Sequence, residues 1–175
     1  MNMRVIDPLA DPTAMVRCVY AYVAYRIGDG PEAEDVTSET FERALRYRES
    51  FDSRRGDPAA WLIGIARRCI ADAALSRLHT TDEIPEVAAP DALHDTAAAR
   101  IDMARELALL DERDRELLAL RYGADLTAKQ IAELLDLKTN AVEVALHRAL
   151  GRLRSQIEGE QQQQVELRWA SQPQS

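Results

Sequence analysis

The chain has few glycines, few aromatic residues and few cysteines, and each scarcity narrows the possibilities. Only 7 of 175 residues are glycine and 5% are aromatic, while Ala, Leu, Arg and Glu recur throughout. That balance disfavours a sheet-based fold rich in tight turns and points to an all-α protein. The 2 cysteines, Cys18 and Cys69, lie far apart without metal-ligand spacing, so neither a disulfide framework nor a zinc site is expected. They read as two buried, reduced thiols of a cytosolic protein. No stretch approaches the roughly 18 apolar residues that span a bilayer, and the opening MNMRVIDPLADP lacks the apolar run of a signal peptide. A soluble, cytoplasmic protein without membrane insertion is expected. Basic residues are also in deficit: 22 Lys and Arg against 30 Asp and Glu give a net charge of -8. Indiscriminate coating of nucleic acid needs many cationic contacts to phosphate and is excluded. Any DNA contact should use short basic segments, helped by a larger partner. No His, Cys and carboxylate set stands at catalytic or metal spacing, so no enzyme activity, metal or cofactor is expected.

What is present falls into two helical modules. From Ala14 to about Leu78, helical patterning is broken at RIGDGPEAED and ESFDSRRGDP, which predicts three or four helices within a first unit, residues 1–78. The stretch HTTDEIPEVAAPDALHDTAAA then carries Pro85 and Pro90 with Asp82, Glu83, Glu86, Asp91 and Asp95 and no Lys or Arg. It cannot bury enough apolar surface to fold alone and reads as a flexible acidic linker, residues 79–99. A second unit, 100–158, has Leu107, Leu110, Leu117, Leu118, Ile131, Leu134, Leu135, Val142, Leu146 and Leu153 for a small core. Such a unit is only marginally stable by itself. Residues 159–175 form a Gln-rich end, read as a frayed helical extension or a disordered tail.

Within the second unit, LTAKQIAELLDLKTNAVEVALHRALGRLR has the build of a helix-turn-helix. One helix runs from about Thr127 to Leu135, a turn covers Asp136 to Lys138, and a second helix opens at Thr139. Thr127 and Thr139 suit N-caps, Ala132 permits a close helix crossing, and Leu137 is expected to plug the turn. A helical projection buries Val142, Leu146, Ala149 and Leu153 and turns Asn140, Val144, His147, Arg148 and Gly151 outward. The first turns of such a helix reach base edges, which makes Thr139, Asn140, Glu143, Val144 and His147 candidate readers. Asn pairs with adenine, Glu accepts from cytosine, and Val144 suits a thymine methyl. Lys138, Arg148, Arg152 and Arg154 suit phosphates, although the three arginines equally suit a solvated face favoured near a helix C-terminus.

Three blocks in order, AEDVTSETFERALR, DPAAWLIGIARRCIAD and DRELLALRYGADLTAKQIAELLDLKTNAVEVALHRALGRLR, closely resemble the extracytoplasmic-function (ECF, group IV) sigma factors of the bacterial sigma-70 family. The resemblance covers about Thr13 to Leu153. It implies a region 2 helical bundle in the first unit and a region 4 helix-turn-helix in the second. It further implies that the chain binds RNA polymerase core, through the β′ clamp helices and the β flap, and directs it to promoter DNA. The first block sets Asp35, Glu39 and Glu42 on one helix stripe opposite Ala33, Val36, Thr40 and Ala44. The resemblance makes that helix, with Phe41, the clamp-docking element; as bare residues, the Glu39–Arg43 and Glu42–Arg46 i,i+4 pairs need no partner. The second block turns Trp61, Leu62, Ile65, Ala66 and Cys69 inward and Arg67 outward. By resemblance, this helix and the preceding loop, Tyr47 to Pro58, open the −10 element and hold flipped bases, with Arg54, Arg55, Arg67 and Arg68 supplying charge. Trp61, on the apolar face, reads as core rather than as a stacking platform. The −35 element falls to the helix-turn-helix: Lys138, Thr139, Asn140, Glu143, Val144, His147, Arg148 and Arg152.

Departures from the family pattern fall on the reading surfaces. Arg68 stands where the family commonly has Asn after IAR, Glu143 and Ala145 replace frequent basic residues, and Asp136 replaces the usual turn Gly. The −10 and −35 sequences of better-known members therefore do not transfer. The resemblance also implies an anti-sigma factor as a further partner, covering both modules. A conventional dimeric helix-turn-helix regulator would account for Thr127 to Arg154 but leave the first hundred residues without a task. A helical enzyme or an anti-sigma-like interaction protein lacks a site or motif to support it. The linker's carboxylates fit a segment threading a positively charged channel built for RNA. Neutralising Asp82, Glu83, Glu86, Asp91 and Asp95 together is expected to reduce run-off initiation; undiminished initiation would remove that role.

Overall fold

The computed structural model describes residues 7–54, 56–79, 103 and 105–170, all helix, turn or loop with no strand among them. The first unit is a bundle of three helices, α1 (Pro12–Ile27), α2 (Pro31–Arg46) and α3 (Pro58–His79). Each opens on a proline, whose fixed φ and missing N–H suit a first turn. Asp11 caps α1 by accepting from the Ala14 N–H at 3.0 Å, and Asp57 accepts from the Ala59 N–H at 2.8 Å where α3 begins. Gly28, at φ 97°, ends α1 in a conformation that an L side chain resists.

Helical spacing of apolar residues decides what faces inward. Val19, Tyr22 and Val23 of α1, Ala33, Val36, Thr40 and Ala44 of α2, and Leu62, Ile63, Ala66 and Cys69 of α3 meet in the core. Thr40, fully buried, satisfies its hydroxyl by donating to the Val36 carbonyl at 2.7 Å. Arg43 ties α2 to α3 by reaching both Glu39 and Asp72 at 2.6 Å, and Arg77 pairs with Glu32 at 3.0 Å. The loop before α3 makes a single 3-10 turn at Arg48–Ser50 and then sets Phe51 edge-on to Trp61, with ring centroids 5.5 Å apart.

The second unit has a helical turn at residues 105–108, then α4 (Glu112–Leu118), α5 (Ala128–Leu135) and the long α6 (Thr139–Ala170). Asp111 caps α4, and α4 runs into a π-helical turn at Ala119–Gly123, which Leu126 closes by donating to the Leu120 carbonyl at 3.0 Å. α6 spans 32 residues, about 48 Å at 1.5 Å per residue, and carries the Gln-rich segment as helix as far as Ala170. Gln is a good helix former, so of the two readings of this segment the helical extension is the one observed. Of the acidic linker, 79–99, only His79 is among the described residues, and it still belongs to α3.

The two units pack against each other, which the sequence did not foretell. Buried residues of α1 and α3 join those of α4, α5 and α6 in one contiguous hydrophobic cluster. Gly123 lies so close to α1 that a Cβ there would stand 2.9 Å from Tyr22 Cα and 3.0 Å from the Ala21 carbonyl oxygen. Across the same seam, the Cys18 thiol donates to the Ala124 carbonyl at 3.4 Å.

Arg115 fastens the entry of the second unit. Its guanidinium donates to the Leu107, Ala108 and Leu110 carbonyls at 3.0, 2.7 and 3.0 Å, satisfying the end of the helical turn that α4 follows. Arg115→Ala is expected to destabilise the fold by about 2 kcal/mol, the scale of losing charge-assisted hydrogen bonds. Urea denaturation with an unchanged m-value checks it.

Candidate nucleic-acid interface

The helix-turn-helix owes its geometry to local bonds that the sequence announces. Thr127 and Gln130 form a capping box: Thr127 Oγ1 accepts from the Gln130 N–H at 3.3 Å, and Gln130 Oε1 accepts from the Thr127 N–H at 2.8 Å. At the far end Asp136 sits at φ 55°, ψ 48°, the left-handed cap that ends α5, and the Leu137 N–H donates to the Ala132 carbonyl at 2.8 Å. α6 then opens at Thr139 and buries Val142, Leu146, Ala149 and Leu153. Leu137 does not plug the turn. It is 42% exposed and borders a groove with Arg26, Arg67, Leu117 and Leu135, because Ile131 and Val142, both fully buried, already fill the space between the helices.

On the outer side of α6 and the turn before it, Lys138, Thr139, Asn140, Glu143, Val144, His147 and Arg148 are all exposed and form one surface. Arg152 stands apart from them. Its guanidinium grips Asp114, with Nη2 at 2.5 Å from Oδ1, and this bond raises the Arg152 pKa further. Asp114 is almost fully buried, so the pair anchors α6 to α4. Gln156 adds a second anchor, donating to the Glu106 carbonyl at 2.9 Å and to its carboxylate at 2.8 Å. Arg154 remains exposed.

The residues assigned to polymerase docking lie along α2. Asp35 and Glu42 are exposed, Glu39 is paired with Arg43, and Phe41 is half-buried against the core. The four assigned to the −10 element are dispersed. Arg54 forks onto Asp52 in the loop at 3.0 Å, and Arg55 lies outside the described residues. Arg68 is exposed and lines a cleft of about 520 Å³, in which Phe51 and Trp61 of the first unit face Gln130, Glu133 and Leu134 of α5. Trp61 is half-buried, packed both on the core and at the rim of that cleft.

Arg67 meets a partner that sequence reasoning missed. Its Nε donates to Glu116 Oε1 at 2.7 Å, and Glu116 belongs to α4 of the other unit. The same carboxylate is ion-paired with Arg26, whose Nε lies against it off the line of a hydrogen bond, and accepts from the Tyr22 hydroxyl at 3.1 and 3.2 Å. Arg26 also reaches Glu112 at 3.4 Å. Burial, and then the Glu116 charge, push the Tyr22 phenol far above its ordinary pKa. Burial works to lower the Arg26 pKa, but Glu116 and Tyr22 outweigh it and the net shift is upward. Cys18, on the same seam, is raised to about 11 by burial and then by Asp57 and Asp125, which keeps it a thiol. Tyr22 and Glu116 lie 94 positions apart, and the cluster follows no motif. Among the described residues no group of His, Cys, Asp or Glu could hold a metal ion, and no helix is long and apolar enough to cross a membrane.

A three-helix bundle joined to a helix-turn-helix unit with an exposed recognition face defines a two-domain helical DNA-reading protein. The family model for sigma-70 region 2 matches residues 13–78, and that for sigma-70 region 4 matches residues 100–153. The ECF RNA polymerase sigma factor SigD of Mycobacterium tuberculosis is 35% identical over 156 residues, covering 79% of this chain and 71% of that protein. The ECF RNA polymerase sigma factor SigL of the same species is 31% identical over 166 residues, covering 86% and 93%. BldN of Streptomyces coelicolor, another ECF RNA polymerase sigma factor, is 33% identical over 145 residues; the match covers 75% of this chain and 53% of BldN, about half its length. The fold is similar to the sigma factor RpoE bound to the anti-sigma factor NepR from Bartonella quintana, with a TM-score of 0.66 at 20% identity over 82% of this chain and 92% of that one. It is also similar to CnrH in complex with the cytosolic domain of CnrY, with a TM-score of 0.60 at 22% identity over 85% and 82%. The chain belongs to the sigma-70 family, among its ECF sigma factors. A stand-alone helix-turn-helix regulator would leave the region 2 match unexplained.

The left-handed backbone at Asp136 gives a test of the turn. Asp136→Gly is expected to be neutral or stabilising by up to about 1 kcal/mol, and Asp136→Val to cost about 1–2 kcal/mol, because β-branched residues resist positive φ. Thermal unfolding of the two variants reads the difference.

Proposed function

We propose that the chain is a transcription initiation factor that binds RNA polymerase core and directs it to specific promoters. Its first domain, residues 1–78, engages core and opens the −10 element, and its second, 100–158, reads the −35 duplex, with 79–99 connecting them. The observation that carries this reading is the presence of both region matches, in order, on one chain. It is supported by a recognition helix whose outward side is free.

The chemistry is recognition without catalysis. The α2 carboxylates, Asp35, Glu39 and Glu42, offer negative charge to a basic surface of the β′ clamp, with Phe41 as an apolar neighbour, and the β flap receives the second domain. Thr139, Asn140, Glu143, Val144 and His147 face base edges, and Lys138 and Arg148 flank them toward phosphate. Arg152, engaged by Asp114, serves that surface by holding α6 in place. Arg54, Arg55, Arg67 and Arg68 supply cations for the unpaired −10 strand. With a net charge of -8, promoter affinity should come mainly from the assembled holoenzyme, and the chain alone should bind duplex DNA weakly. The chain works in the cytoplasm, on the nucleoid when in holoenzyme, and is held in check by an anti-sigma factor. Complexes of similarly folded sigma factors with anti-sigma factors support that last point.

Run-off transcription with purified core polymerase on a promoter library tests the reading. The chain should support initiation at a defined promoter set. Reversing Asp35 and Glu39 to Lys should weaken core binding at least about tenfold, the scale of interfacial charge pairs, and initiation should fall with it. Full initiation by the reversed variant would displace the docking face; no promoter-specific initiation by the unaltered chain would overturn the function.

A further inference from the structure

We infer that Asp7 is a positioning residue for −10 recognition: the segment ahead of α1 braces the loop that leads into α3 and holds it in the shape that meets the promoter. This rests on the promoter-directing function proposed above and gives that function a residue outside the surfaces already named. The loop begins with the 3-10 turn Arg48–Ser50, in which no residue is buried. Packing therefore does not fix its direction, and so short a turn does not fix it by itself. Arg48 supplies the anchor. Its Nε donates to Asp7 Oδ1 at 3.0 Å and its Nη2 donates to Oδ2, a two-pronged grip between residues 41 positions apart.

The Asp7 end of the grip is itself fixed. Asp7 Oδ1 also accepts from the Leu9 N–H at 3.0 Å, and the Asp7 carbonyl accepts from the Ala10 N–H at 3.2 Å, which folds the segment into a turn just before the Asp11 cap of α1. Pro8 in that turn is buried, and Leu9 packs on the core. From Arg48 the path runs on to the aromatic residue of the loop: the Arg48 carbonyl accepts from the Phe51 N–H at 3.2 Å, and Phe51 sets its ring edge-on to Trp61. Phe51, Asp52, Trp61 and Arg68 line one cleft, and Arg68 is among the cations assigned to the unpaired −10 strand. The ion pair is half exposed, with Arg48 at 50% and Asp7 at 37%, so it adds little to stability. A bidentate pair does supply direction, holding the guanidinium, and with it the turn, in one orientation. Its loss should therefore appear in base selection rather than in folding.

Asp7→Asn removes the charge and keeps an oxygen for the Leu9 N–H, and Arg48→Gln removes the other half of the pair; neither residue is assigned to polymerase or DNA contact. In the free full-length chain, hydrogen exchange at the Ser50 and Phe51 amides should quicken about fivefold in each variant, while the thermal midpoint moves by no more than about 2 °C. With core polymerase and libraries randomised at one promoter element at a time, the ratio of preferred to non-preferred −10 sequences should fall about fivefold, the low end of what one mismatched base pair is worth. Preference at −35 should stay unchanged. The double variant should lose no more than either single one, because both break the same contact; additive losses overturn the link between them. In a chain that initiates, unchanged −10 preference in Asp7→Asn overturns the assignment, and so does an equal fall at both elements. A fall with Arg48→Gln alone overturns it too, placing Arg48 on the DNA. Quickened exchange in a chain that does not initiate upholds the brace and defeats the promoter-directing reading, whereas unchanged exchange defeats the brace whatever initiation shows.

Discussion

One carboxylate gathers a buried charge cluster at the seam between the two halves of this molecule. Glu116 lies between two guanidinium groups and a phenol, nearly out of water, and each of the three belongs to the other domain. A buried charge gains little over a well-packed apolar contact while complete, but becomes costly once a partner is withdrawn. That asymmetry makes the arrangement specific. The domains dock where the charges match and Gly123 permits contact, and the hydrophobic cluster then runs on from one bundle into the other.

The same principle operates at smaller scale inside the second domain. Asp114 and Arg152 pin α6 to α4, and Gln156 pins it again to Glu106 a turn further on. α6, about 48 Å long, is thus fastened on its inner side between Val142 and Gln156 while the outer side of its first turns stays exposed. The residues proposed to read DNA are few and only modestly basic, as suits a factor proposed to draw most of its DNA affinity from a larger machine.

Much of this was legible from the chain. The inward face of α2, most of that of α3, the Thr127 cap, the turn at Asp136 and the buried stripe of α6 all follow from residue spacing, since each is decided within a few residues; Ile63, fully buried, was missed on α3, where Trp61 is only half-buried. What could not be read depends on long-range pairing. Nothing near Arg67 in sequence names Glu116, and Arg152 reads as a phosphate contact until α4 brings Asp114 beneath it. Leu137 was expected inside the turn; Ile131 and Val142 take that space, and packing across helices left no local sign of it. The Gln-rich segment was ambiguous because Gln favours helices without supplying a buried face.

The most direct measurement is the distance between the two domains, read by energy transfer between one dye on an exposed position of α2 and another on the outer side of α6. The free chain should give a short distance, and addition of core polymerase with promoter DNA should lengthen it by tens of ångströms. A distance unchanged by polymerase and promoter would contradict the division of labour between the domains.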